Sequence, residues 1–161
     1  MIEWIDMPMV PLLVTFVPGA PKTKGSLTFK GNGYVRENVV GSTRWRMMVV
    51  DRARAAVPPG MPAWSGPVAV HATFFLPAPA KYAGWLEAIW PRAGDVDKLT
   101  RNVLDALSVN EDEPKLGAGI YVDDNQVTQL VINKIPVLPH SSAGPGVDLR
   151  VYGIRDVPRK D

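Results

Sequence analysis

The chain contains no cysteine and only two histidines, His71 and His140. Disulfides, thiolate zinc sites and cysteine nucleophiles are thereby excluded, and little is left for a histidine-rich metal centre. The lack of cysteine is compatible with a reducing cytoplasm. No apolar run approaches the ~20 residues that a bilayer-spanning helix needs. The amino terminus, Met1-Ile2-Glu3-Trp4-Ile5-Asp6, is acidic where a secretory signal is basic. These absences point to a soluble intracellular protein with no membrane partner. Charged residues make up only 21% against 46% hydrophobic ones, a globular balance that argues against wholesale disorder. The 161 residues suffice for one domain with a real core and are too few for two. What is plentiful is punctuation: 16 prolines and 14 glycines keep the elements short.

Charge is unevenly spread. Residues 1–90 carry nine Lys/Arg against five Asp/Glu, and residues 126–161 carry five against three. Between them, residues 91–125 hold eight acids against four basic residues, half of all the acids in the chain. A basic surface around a local acidic pocket suits a protein that binds an anionic polymer and holds a cation.

Leu12-Leu13-Val14-Thr15-Phe16-Val17 reads as a first strand ended by Pro18-Gly19, and Pro21-Lys22-Thr23-Lys24-Gly25 as a basic loop. Residues 26–29 and 34–36 pair as a hairpin across Gly31-Asn32-Gly33. Ser42 is placed as the N-cap of a helix reaching about Ala56, with Trp45, Met48, Val49, Arg52 and Ala56 at helical spacing and Arg44, Arg46 and Arg54 off that stripe. Residues 67–76 form the clearest strand, with His71 read as a satisfied sheet side chain rather than a ligand. Residues 77–91 are irregular, with a short helix around 84–89. A second helix is expected from about Lys98 to Leu107, strands over 126–135 and 147–154, and a loose tail from 156. The fold expected is α+β: a single domain of mixed β-sheet with two main helices packed against it, spanning 12–154 between an extension at 1–11 and a tail at 155–161.

Chemistry concentrates in two acidic motifs. Asp95 and Asp97 stand two residues apart in Gly94-Asp95-Val96-Asp97-Lys98-Leu99-Thr100-Arg101. In a helix such residues diverge, whereas in an extended segment they share a face. They are therefore expected to cooperate only if the helix starts after them. Asp123 and Asp124 follow in Tyr121-Val122-Asp123-Asp124-Asn125-Gln126-Val127. One of this pair can aim at a shared cation, and the other faces away as a supporting partner or turn former. Crowded carboxylates repel, and a hard divalent cation is their common compensator. Arg101, one turn beyond Asp97, can neutralise charge on a cleaved phosphate, and Asp105 extends that helix face. Taken singly, an aspartate N-cap and an Asp-Asp-Asn turn would account for these residues. A calcium loop is disfavoured, since Thr100 and Ala106 occupy the positions of its glycine and terminal glutamate.

These motifs resemble the signature of the RusA family of Holliday junction resolvases. The family pattern is Asp-x-Asp-Asn-Leu-x-Lys-x-x-x-Asp-Ala-Leu, then an apolar residue, Asp-Asp and a small polar residue before Gln-Val. The early segment Val17-Pro18-Gly19-Ala20-Pro21-Lys22-Thr23-Lys24 is similar to the family's strand leading into a basic loop. The resemblance implies a homodimeric, Mg²⁺-dependent endodeoxyribonuclease that nicks four-way DNA junctions symmetrically in recombination and repair. The resemblance further implies that Mn²⁺ can stand in for Mg²⁺, that no organic cofactor is involved, and that the protein is cytoplasmic, bacterial or phage-encoded. It assigns catalysis and metal binding to Asp95, Asp97 and Asp124, and the residue pattern adds Asp123 and Asp105 as supporting acids. The family lysine falls at Arg101, while Lys98 stands where asparagine is usual, so either can supply the positive charge. Candidate phosphate contacts are Lys22, Lys24, Lys30, Arg36, Arg44, Arg46 and Lys98. The segments 81–91 and 110–117 look longer than the family minimum, as DNA-touching loops or as insertions. The rival is a non-catalytic junction- or duplex-binding protein of the same fold.

Overall fold

The structure, a computed structural model, describes residues 8–25, 27–30, 34–37, 40–79, 81 and 94–155. The expected hairpin turn at 31–33, the short helix near 84–89 and the loose tail lie outside those residues. Among the described residues there are six strands and two helices: β1 (Met9–Pro18), β2 (Leu27–Lys30), β3 (Tyr34–Glu37), α1 (Ser42–Ala55), β4 (Val68–Pro77), α2 (Val96–Leu107), β5 (Val127–Val137) and β6 (Gly146–Ile154). The mixed sheet and two helices give the expected α+β architecture.

The main sheet runs β1-β6-β4-β5, with β2 and β3 forming a separate antiparallel pair. β6 pairs antiparallel with both β1 and β4, while β4 and β5 run parallel. A parallel pair requires a crossover, and α2 supplies it. Alternation sets the buried face: Leu13 and Val17 on β1, Val70, Ala72, Phe74 and Leu76 on β4, and Val147, Leu149 and Val151 on β6 are all buried in one cluster. Leu99, Val103, Ala106 and Leu107 of α2 join it, three- and four-residue spacings that make one apolar stripe. Trp45, Val49, Val50 and Ala53 of α1 complete it.

The sequence expectations need three corrections here. The buried face of α1 turns towards Val50 and Ala53, and Arg52 and Ala56 are exposed. Ser42 is not the N-cap: Gly41 holds that place at φ 84°, and Ser42 is buried inside the first turn. His71 is not satisfied, because its Nε2 is buried without a partner among the described residues; the ring sits edge-on to Tyr152, centroids 5.5 Å apart, on the sheet face away from the helices.

Candidate active site

Gly94 turns the chain into α2 at φ 77°, a conformation that side chains with a Cβ rarely adopt. Asp95 takes the N-cap position in extended geometry, without a side-chain capping bond, and its carbonyl accepts from the Leu99 N–H at 3.0 Å. Asp97 lies within the first helical turn rather than before it, so the expectation that both acids precede the helix is overturned. The helix starts early because its first turn is closed twice: by that backbone bond and by Thr100 Oγ1, which donates to the Val96 carbonyl at 2.6 Å. Asp95 at the N-cap and Asp97 in the first turn therefore both sit at the helix amino terminus, where the dipole favours anions. Each is exposed and faces a cation of the same helix. Lys98 Nζ is 3.0 Å from Asp95 Oδ2, and Arg101 Nη2 is 3.7 Å from Asp97 Oδ2. Exposed pairs of this kind contribute under about 1 kcal/mol, so a divalent ion could replace the cations at little cost.

The second acidic motif is fastened to the other end of α2. The last carbonyls of a helix lack internal partners, and here the 117–122 segment supplies them. Ala118 N–H donates to the Ala106 carbonyl at 2.7 Å, and Ile120 N–H to that of Leu107 at 2.8 Å. Tyr121 Oη donates to the Leu104 carbonyl at 3.0 Å. Burial, followed by the negative charges of Asp124, Asp105 and Asp123, pushes the Tyr121 phenol far above its ordinary range, so it remains a neutral donor. Gly117 is required for this closure, since a Cβ would stand 2.6 Å from both Asn110 N and Ser108 O.

Beyond Tyr121 the chain makes a single 3₁₀ turn, Asp124–Gln126. Asp123 caps it, accepting from Asn125 N–H at 2.9 Å, while Gln126 Oε1 accepts from Asp123 N–H at 2.8 Å. Gln126 Nε2 then donates to the Trp64 and Gly66 carbonyls at 3.0 and 2.7 Å. Asp123 is thus a turn former, one of the two roles expected for a member of this pair, and Asp124 is left exposed.

The basic loop is locked onto α2 by a residue that the sequence did not single out. Asn102 is fully buried. Its Nδ2 donates to the Lys22 carbonyl at 2.9 Å and to Ser42 Oγ at 3.2 Å, and its Oδ1 accepts from Arg46 Nε at 3.0 Å. Lys24 N–H donates to the Lys98 carbonyl at 3.0 Å. The Lys24 ammonium pairs with Asp105, and Arg46 Nη2 lies 3.6 Å from the same carboxylate. Asp105 therefore gathers two of the candidate phosphate contacts, whereas Lys22 and Arg44 remain exposed. Lys30 and Arg36 lie in β2 and β3.

The 110–117 segment carries the exposed acids Glu111, Asp112 and Glu113, whose charge would repel a DNA backbone. Arg54 pins it to α1, donating to the Pro114 and Gly117 carbonyls at 2.6 and 2.8 Å. From the carboxyl side of the sheet, Lys134 Nζ on β5 donates to the Gly94 carbonyl at 3.1 Å. Gln126 carried a local signal, since Asp-x-x-Gln has capping-box spacing. Asn102 and Lys134 carried none, because their partners are distant in sequence.

The donor chemistry suits a hard divalent cation: the acids are exposed carboxylates with no thiolate nearby. Asp95 and Asp97 share one end of α2, and the Asp124 turn is held at the other. Among the described residues, no group of three His, Asp or Glu side chains is gathered as a ready cation site. No helix among them is long and apolar enough to cross a membrane.

The family model described as Endodeoxyribonuclease RusA matches residues 18–152, most of the chain. No curated protein matches it.

Proposed function

The chain belongs to the RusA family of endodeoxyribonucleases, enzymes acting on junction DNA, and from that premise we propose that it resolves Holliday junctions by paired symmetric nicks in a Mg²⁺-dependent reaction in the cytoplasm. The observation that carries this reading is the exposed Asp95–Asp97 pair at the amino terminus of α2, inside the matched region. Asp95 and Asp97 would offer carboxylates to the cation at the amino end of α2, and Asp124, held at the other end of this 12-residue helix, would join them as the third acid only from a moved turn or from a second copy of the chain. Once bound, Mg²⁺ supplies water activation and charge neutralisation. Two exposed carboxylates are enough for an ion that keeps most of its waters.

The protein's own contribution is to place and orient. Gly94 and the Leu99-to-Asp95 backbone bond set the direction of the two carboxylates. Arg101, released from Asp97 by a bound ion, would face charge developing on the phosphate. Lys22 and Arg44 would hold the DNA backbone, while Lys24 and Arg46, fixed on Asp105, keep the basic loop in register. The sheet face away from the helices, where Val14 is 57% and Phe16 44% exposed, favours a homodimer that presents two sites to one junction.

Incubating the protein with a synthetic four-way junction and with linear duplex, with and without Mg²⁺, tests the reading. Metal-dependent nicking restricted to the junction is expected. Retardation without nicking would replace it by the non-catalytic reading, which the arginine at position 101 favours. The Arg101 assignment is separable. Arg101→Ala should slow cleavage about tenfold to a hundredfold, and Arg101→Lys should retain much of the rate, because it keeps a positive charge near the same phosphate. Equal rates in all three proteins would remove Arg101 from the mechanism.

A further inference from the structure

Lys134 occupies an unusual place in β5. In the parallel pairing it stands beside Phe74, a fully buried core residue, and it follows Ile132 on the helix-facing side of the strand. An apolar residue would fit that row at no desolvation cost. Lysine there must carry its ammonium along apolar surface to a polar partner. It does so by bonding to the carbonyl of Gly94, directly before Asp95.

Four other cations around α2 are already matched to acids: Lys98 to Asp95, Arg101 to Asp97, and Lys24 and Arg46 to Asp105. Lys134 instead meets a neutral carbonyl. No described carboxylate lies within ion-pairing distance of it. An ammonium has three donors, and the Gly94 bond uses one. The remaining two belong to a half-buried group whose long stem is held by the sheet, so little side-chain entropy is lost on meeting a ligand. A phosphate brought to the Asp95–Asp97 end of α2 would arrive beside it.

We propose that Lys134 is a DNA phosphate contact of this site, reaching from β5 to the entrance of α2. The proposal rests on the endonuclease reading and adds to it a residue outside the acidic motifs and the basic loop. Its side chain binds the phosphate while its Gly94 bond holds the turn that presents Asp95.

The test is Lys134→Met, which keeps the length and suits the apolar row, compared with Lys134→Arg. Junction affinity is measured in EDTA over a series of salt concentrations, beside thermal melting and nicking in Mg²⁺. Lys134→Met is expected to melt no lower than wild type. Its log-affinity against log-salt slope should shrink by about 0.9 for each phosphate that the protein no longer neutralises. Its nicking should fall on the order of 10²-fold, with slope and rate largely restored in Lys134→Arg. An unchanged salt slope in a folded Lys134→Met would overturn the proposal. If wild type nicks the junction and Lys134→Met shows wild-type slope and rate, this inference alone fails. If wild type neither binds nor nicks the junction, the endonuclease reading fails and this inference with it.

Discussion

Asp95→Asn is expected to abolish junction cleavage while leaving junction binding nearly intact. Asparagine has almost the shape of aspartate, and the Asp95 side chain is 65% exposed with no capping bond to lose. Exposed substitutions of this kind change stability by less than about 0.5 kcal/mol, so the variant should fold as wild type does. What disappears is a negative oxygen donor for a divalent cation. Such an ion contributes several kcal/mol to the transition state, and about 4 kcal/mol corresponds to a rate loss on the order of 10³-fold. The cations proposed to meet the DNA backbone are all left in place, so affinity should move little. Asp124→Asn should behave in the same way, although its turn is fastened to the opposite end of α2. Single-turnover nicking of a labelled four-way junction, read beside gel retardation, measures both effects. Wild-type nicking by either variant would remove that acid from the mechanism.

The largest loss of stability is expected from Asn102→Ala. The amide joins three segments, and each loses something different. The Lys22 carbonyl and Ser42 hydroxyl lose a donor, and the Arg46 guanidinium loses an acceptor. Stranding a buried polar group costs about 1–3 kcal/mol, and the truncation also leaves a small void. A total of about 3 kcal/mol is reasonable, which for a chain of this size lowers the melting temperature by roughly 6–12 °C. Calorimetry measures it directly. A shift below about 2 °C would mean that the three segments hold together without the amide.

The two results separate chemistry from architecture, and the same division explains what could be read before the structure. β1, β4, the extent of α1 though not its buried face, and α2 were legible because each writes its own period or its own breakers into adjacent residues. The turn at 123–126 was legible from Asp-Asp-Asn, and the Asp-x-x-Gln spacing marks its cap. The start of α2 was misplaced because Asp95 and Asp97 looked like partners on an extended strand, whereas the Thr100 hydroxyl closes the turn on Val96. Ser42 resembled a cap by composition. Its hydroxyl serves Asn102, sixty residues away, and Gly41 takes over the boundary. Lys24 and Arg46 looked like free cations, and only the fold brings Asp105 to both. Lys134 carried no local signal of its bond to Gly94. Long-range partnerships leave no periodic trace, and they hold much of what gives this site its shape.

The closure of the carboxyl end of α2 by 117–122 has a kinetic meaning. A helix whose last carbonyls face water can fray from that end at small cost. Here the first step of unwinding must also tear away the Ala118 and Ile120 amides and the Tyr121 phenol. Helix and strap should therefore open as one cooperative unit, with those loop amides as slow to exchange with deuterium as the helix interior.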